Sequence, residues 1–131
     1  MTLNIRVIAP DRTVWDANAE EVILPSSTGQ LGILTGHIPL LTALDIGVMR
    51  VRIDKDWVPI VLMGGFAEID NNKITILVNG AEETIDIDIS LAQKNLEEAT
   101  AKLTQAISTK DKIEATQNIR KARARLQAVV T

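Results

Sequence analysis

Gly47 to Val78 reads G-V-M-R-V-R-I-D-K-D-W-V-P-I-V-L-M-G-G-F-A-E-I-D-N-N-K-I-T-I-L-V, and this stretch decides the fold. Met49, Val51 and Ile53 alternate with Val48, Arg50 and Arg52, the period-two signature of a strand with one buried face. Asp54-Lys55-Asp56 is a hairpin loop, and Trp57 to Met63 returns from it. Pro59 has no N–H to give a neighbouring strand, which predicts an edge position. Gly64-Gly65 predicts a break or a bulge. Phe66 to Asp70 and Lys73 to Val78 then form a second hairpin. Its turn is Asn71-Asn72, where asparagine tolerates positive φ.

The same grammar continues upstream. Leu3, Ile5 and Val7 alternate with Thr2, Asn4 and Arg6, and Pro10-Asp11 makes a turn. Thr13 to Asp16 is a short strand carrying Trp15. Glu21 to Leu24 is another, stopped by Pro25-Ser26-Ser27. Leu31 to Leu34 and Pro39 to Leu44 fit short strands around a loop, and Asn79-Gly80 ends this half of the chain. Short strands at this spacing predict a β-sandwich or barrel.

Downstream the character changes. The last 51 residues contain no glycine and no proline. They are rich in Ala, Leu, Lys, Glu and Gln, all good helix formers. Ser90 with Gln93 predicts a capping-box start. Ala92, Leu96, Ala99, Leu103 and Ala106 then recur at helical spacing. After a polar break at Ser108-Thr109, Asp111 and Glu114 lie in the next first turn, where acids favour the helix dipole. Ala115, Ile119, Ala122, Leu126 and Val129 repeat the spacing. Two helices with narrow, alanine-rich seams predict an antiparallel hairpin. Alanine buries little area, so this hairpin holds its packing weakly and can open.

Composition removes most chemistry. The chain has 131 residues, one histidine, no cysteine and no tyrosine. That excludes a disulfide framework and thiol catalysis. His37 would have to serve any Ser-His-Asp triad, yet no serine lies in a nucleophile-elbow context. There is no phosphate loop and no dinucleotide fingerprint. Glu82, Glu83, Asp86 and Asp88 are the densest carboxylates. They lack calcium-loop spacing and read as a solvated junction rather than a metal site. No cofactor is expected. No apolar run is long enough to cross a membrane, and the N-terminus lacks the features of a secretion or transit signal.

Charge is uneven. Residues 1–84 carry 6 basic and 11 acidic side chains, and residues 85–131 carry 8 and 6. A pI near 5.1 argues against nucleic-acid binding. Arg120, Lys121, Arg123 and Arg125 nevertheless cluster where no acid follows Glu114. They read either as a solvated helix face or as a site for acidic protein, phosphate or anionic lipid. Gly29 to Gly47, G-Q-L-G-I-L-T-G-H-I-P-L-L-T-A-L-D-I-G, holds four of the seven glycines and the single histidine. So apolar a turn-rich segment is built to be touched, by its own core or by a partner. Taken alone, His37 reads as an ordinary loop histidine or as a contact.

The whole chain resembles the epsilon subunit of F-type ATP synthases in its cyanobacterial and chloroplast form. The resemblance runs from L-N-I-R-V-I-A-P-D-R (Leu3 to Arg12), through Gly29 to Gly47, M-G-G-F-A-E-I-D (Met63 to Asp70) and the N-K-I-T-I-L strand, to R-K-A-R-A-R-L (Arg120 to Leu126). It implies a sandwich of about ten short strands over residues 1–86 and an antiparallel helical hairpin over 87–131. It also implies a non-catalytic rotor-stalk subunit, beside gamma and on the c-ring, that couples rotation to ATP synthesis. Its C-terminal helices would extend towards the beta and alpha subunits and inhibit ATP hydrolysis. Its place would be peripheral, on the cytoplasmic or stromal face of the thylakoid membrane.

The resemblance assigns residues as well. Thr28, Gly29, Gln30 and Leu31 match the tip facing the c-ring. Some relatives carry glutamate at the Gln30 position. Gly36, His37, Ile38 and Pro39, with Leu41 and Thr42, match the gamma-facing surface. Arg120, Lys121, Arg123 and Arg125 match basic positions that meet an acidic segment of beta. Some bacterial relatives bind ATP through I-D-x-x-R-A. Here the register reads Ile87-Asp88-Ile89-Ser90-Leu91-Ala92, with Leu91 in place of the arginine, so no strong ATP binding is expected. The alternatives are a nucleotide-sensing module with a helical lid, and an adaptor whose basic helix binds lipid or acidic protein.

Overall fold

The computed structural model describes residues 2–129. Met1, Val130 and Thr131, the outer ends of the two expected units, lie outside the described residues. The elements are β1 (Leu3–Ala9), β2 (Arg12–Ala19), β3 (Glu21–Ser26), β4 (Gly29–Leu34), β5 (Leu40–Ile53), β6 (Asp56–Asp70), β7 (Lys73–Val78) and β8 (Ala81–Glu83). A short 3-10 turn at Thr84–Asp86 leads to α1 (Ile89–Gln105) and α2 (Thr109–Val129). The strands run in the order β2-β1-β7-β6-β5-β3-β4, with β8 also paired to β6. A β-sandwich followed by two helices is the expected class, but it has eight strands among the described residues rather than about ten.

The missing two are explained by β5 and β6. Pro39 to Leu44 and Gly47 to Ile53, read as separate strands, form one strand, β5, which begins at Leu40 and leaves Pro39 in the loop, and the two segments flanking Gly64-Gly65 belong to β6. These two strands pair from end to end in one register, Leu44 with Gly65 and Met49 with Ile60. Gly64-Gly65 is therefore a bend and not a register-shifting bulge. Both strands change their inward face there together. Leu44 faces the main core on one side of the bend and Met49 and Val51 on the other, while β6 switches from Ile60 and Leu62 to Ala67 and Ile69. In one dimension, that change of parity looks like a break.

The bend needs glycine for a reason beyond φ. A Cβ on Gly65 would lie 1.9 Å from the carbonyl oxygen of Leu77 and 2.9 Å from the Cα of Val78. The Asn71-Asn72 turn is as expected, while the loop read as Asp54-Lys55-Asp56 is a two-residue turn, with Asp56 already paired to Ile53. Asp54 and Lys55 have φ of 51° and 73°, and Asn71 and Asn72 have 51° and 63°, values the residues of two-residue hairpins require. Pro59 lies one residue before the ladder to β8 begins at Ile60, so it occupies a locally unpaired edge of an otherwise central strand.

The main core is aliphatic, with Leu3, Ile5, Val22, Leu24, Ile33, Met49, Ile60, Ile69 and Ile76 fully buried. The helices differ from expectation in two ways. Ser90 is not the cap of α1. Asp88 holds that position, and its carboxylate accepts a 3.1 Å hydrogen bond from the Leu91 N–H, as a short acidic side chain at an N-cap does. α2 also has two buried faces where the periodicity gave one. Ala115, Ile119 and Ala122 are buried, as the seam predicts. Ala124 and Ala128 instead pack on Val48 and Val61 of the sheet, with Ile46, Met63 and Ile87 around them.

Candidate functional site

The Thr28 to Leu31 tip is the β3–β4 hairpin end. Thr28, Gly29 and Gln30 are exposed and Leu31 packs against the core. Ser26, the buried polar residue beneath, organises it. Its Oγ accepts from the Thr28 N–H at 3.2 Å and lies 3.1 Å from the Thr28 hydroxyl and 3.4 Å from that of Thr42. One buried hydroxyl thus ties the tip to the Leu41-Thr42 segment. The sequence places Ser26 in the turn that stops the strand at Leu24, whereas β3 runs on through Ser26 and buries it; a serine bridging two loops leaves no local sequence signal.

The Gly36 to Pro39 loop hangs from the Asn71-Asn72 turn. The Gly36 N–H donates to Asn72 Oδ1 at 2.7 Å, while the Asn4 N–H donates to the Asn72 carbonyl at 2.9 Å. The His37 N–H donates to the Leu34 carbonyl at 3.2 Å, and its Nδ1 lies 2.7 Å from the Ile38 carbonyl. A carbonyl only accepts, so Nδ1 carries the proton and Nε2 is left to meet another group. Ile38 and Leu41 are 74% and 69% exposed.

Leu41 adjoins an apolar row on the outer face of the sheet. Residues directly opposite one another share a face. Ile8 pairs with Leu77, Leu77 with Phe66, and Phe66 with Ala43. Leu41 lies two residues from Ala43 on the same face. Phe66 and Leu77 are 56% and 52% exposed. The sequence places Phe66 and Leu77 in strands without saying which way they face, and only the pairing of four strands shows their apolar residues in line.

The basic cluster divides. Arg120 and Arg123 line a cleft against Asp45 and Gly47 of β5, whereas Lys121 and Arg125 face Asn95 and Glu98 of α1. Arg125 is committed further. Its Nε and Nη2 donate to the two carboxylate oxygens of Glu82 at 2.8 and 2.7 Å. The pKa of Arg125 is raised, because the hydrogen bonds to Glu82 outweigh the cost of partial burial and the carboxylate charge adds to them. Glu82 was read as part of a solvated junction. It is instead the partner of a helix 43 residues away.

A cleft of about 250 Å³ lies at the junction, lined by Glu82, Asp86, Asp88, Leu91, Asn95 and Arg125 among others. Three of these are carboxylates. The single cation among them already holds Glu82.

The chain is thus a bent sandwich with two exposed loops, an apolar row on its outer face and a helical hairpin docked on the sheet. The chain belongs to the ATP synthase delta/epsilon chain family. Residues 2–84 match its beta-sandwich domain and residues 86–129 its long alpha-helix domain. The chain is 77% identical over 128 residues to the chloroplastic ATP synthase epsilon chain of Porphyra purpurea, spanning 98% of this chain and 96% of that one. It is 63% identical over 131 residues to the ATP synthase epsilon chain of Thermosynechococcus vestitus, spanning 98% and 95%. These relatives are epsilon chains, not catalytic subunits. The fold also matches a chain in the Euglena gracilis mitochondrial ATP synthase OSCP/F1/c-ring structure, with TM-score 0.86, 22% identity, and coverage of 99% of this chain and 82% of that one.

Proposed function

We propose that this chain is the epsilon-type subunit of the rotor stalk of an F-type ATP synthase. In this reading it binds gamma and the c-ring, transmits rotation and catalyses nothing itself. The observation that carries the proposal is the apolar row Ile8–Leu77–Phe66–Ala43 with Leu41 beside it, next in the chain to the exposed Ile38 loop. Exposed apolar patches on a folded protein mark interaction sites. This one adjoins the Gly36 to Thr42 segment that the resemblance turns towards gamma. Thr28 to Leu31 meets the c-ring at the other end of β4. No described helix is long and apolar enough to cross a membrane, which accords with a peripheral position on the cytoplasmic or stromal face of the thylakoid membrane.

Phe66→Glu tests the row. A charge there must be desolvated at any apolar interface, so affinity for the gamma-type partner falls by about tenfold or more. Phe66 is exposed, so the thermal midpoint stays close to that of the parent. Unchanged affinity would move the gamma contact elsewhere.

The chain acts as two units in this proposal, residues 1–86 for assembly and 87–131 for regulation. The hairpin extends towards the beta and alpha subunits and blocks ATP hydrolysis. Support comes from its alanine seam, and from apolar residues the docked form leaves in water, Ile85, Ile107 and Ile113. Folded and extended states built on so little burial differ by only a few kcal/mol. Arg120, Lys121, Arg123 and Arg125 then meet acidic side chains on the partner.

The nucleotide-sensing alternative is disfavoured by the junction cleft. A triphosphate there would face Glu82, Asp86 and Asp88, with Leu91 in place of a cation and Arg125 already paired. Calorimetric titration of the chain with ATP is expected to give no binding. A dissociation constant of about millimolar or tighter would restore the alternative.

A further inference from the structure

We propose that the Glu82–Arg125 pair is a latch that holds the hairpin on the sheet and must open before α2 can reach another partner. The inference deepens the inhibitory reading above and rests on it for the functional consequence, but not for the latch itself.

Three ion pairs are formed among the described residues, and this is the one that joins a helix to the sheet. It is also the best formed of them. Arg6 and Asp16 meet at 3.4 Å with both side chains about half exposed, and Arg52 and Glu21 at 3.2 Å. Arg125 and Glu82 meet through two bonds of 2.8 and 2.7 Å with side chains 27% and 28% exposed. A two-pronged guanidinium–carboxylate pair combines geometry with charge and is stronger than a neutral hydrogen bond. Partial burial spares it much of the solvent screening that reduces surface pairs to little.

What it holds is otherwise lightly held. The apolar part of the contact between α2 and the sheet is built on Ala124 and Ala128 over Val48 and Val61. An alanine offers one methyl, so this contact supplies little burial per residue. The carboxylate end is placed by the short strand β8, fixed to β6 through Ile60, Val61 and Leu62. Val61 is thus both a neighbour of Glu82 in the ladder and part of the surface under α2. The latch and the apolar contact sit on the same three-residue piece of β6.

The arrangement also makes two states exclusive. Both prongs of Arg125 used here are occupied by Glu82, so Arg125 cannot clamp a carboxylate on another chain in the same way while the hairpin is docked. An acidic segment that captures Arg125 replaces Glu82 and releases the helix in one exchange, at little change in the number of ion pairs.

The test uses the full chain and amide hydrogen exchange along α2. Glu82→Gln keeps the shape and removes the charge. It is expected to speed exchange in the last turns of α2 by roughly tenfold or more, with exchange in β1, β6 and β7 unchanged. Arg125→Met is expected to do the same, and the double variant no more than either single, because the partners act as one unit. Exchange in Glu82→Gln equal to the parent, or additive effects in the double variant, overturns the latch. Glu82→Gln is then placed in the assembled synthase. Lower ATP hydrolysis follows if the released Arg125 serves inhibition. Faster exchange with unchanged hydrolysis keeps the latch and removes the inhibitory reading instead.

Discussion

Deleting Asp88 to Thr131 is expected to raise ATP hydrolysis by the assembled synthase while leaving assembly and coupled synthesis largely intact. The physical basis is the separation of the two cores. The main core runs through β1 to β7 and includes no helical residue, whereas the helices bury a seam between themselves and meet the sheet through the small cluster of Ala124 and Ala128 on Val48 and Val61. Removing the hairpin therefore uncovers Val48, Val61, Ile46 and Met63 without opening the sandwich. The proposed contact loops at Thr28 to Leu31 and Gly36 to Thr42 lie on strands and turns that the deletion does not touch. If extension of the hairpin blocks hydrolysis, the truncated chain lacks the blocked state altogether, and steady-state hydrolysis rises about twofold or more even when that state is only partly populated. Replacing Arg120, Arg123 and Arg125 together by alanine gives part of the effect, since the charges go but the helix remains. Hydrolysis unchanged by the deletion removes the inhibitory role.

Gly65→Ala is expected to be the most damaging single substitution in the sandwich, lowering stability by about 3–5 kcal/mol from backbone strain and forced displacement together. That is a large share of the roughly 5–15 kcal/mol that holds a domain of this kind together. The added methyl would lie 1.9 Å from the Leu77 carbonyl oxygen, and φ is +154°. The obstacle is backbone of the adjacent strand, so no side chain can turn aside to make room. Gly32→Ala provides the control. A Cβ there meets nothing within 4 Å, and the change falls within about 0.5 kcal/mol. Urea unfolding of the two variants measures the difference. Equal midpoints would mean that β6 and β7 do not approach so closely at the bend.

The same bend marks the limit of what the sequence disclosed. Alternation and turn chemistry are local, so β1, the two asparagine and aspartate-lysine turns, and the helical seams were legible from a few residues each. At Asp45–Val48 and Met63–Phe66, two strands change their inward face together. Read singly, each looks like two short strands, and only the paired register reveals one long strand. α2 concealed its second face for a different reason. Ala124 and Ala128 are chemically the same as the seam alanines, and a period of 3.6 does not say which alanines meet a helix and which meet a sheet. At the α1 start, serine and glutamine offered a capping box, but Asp88 two residues earlier caps the helix first by accepting from the Leu91 N–H, which leaves Ser90 inside the first turn.

The surfaces proposed as contacts were legible only in part. The glycine-rich stretch from Gly29 to Gly47 announced itself by composition, and its Ile38 and Leu41 are exposed. Phe66 and Leu77 did not stand out, because an apolar residue in a strand is ordinarily core. Their exposure follows from parity, which placed Ala67, Ile76 and Val78 inside and left them outside. Glu82 was the least visible of all. Nothing near it in the chain says that its partner lies on the last helix.

The most direct measurement of the central claim is the mass and composition of the particle this chain forms with the gamma-type subunit of its own synthase, by size-exclusion chromatography with light scattering. A single one-to-one particle is expected, and it should dissociate for Phe66→Glu at concentrations where the parent stays bound. Separate elution of the two chains at micromolar concentration would contradict a place for this chain in the rotor stalk.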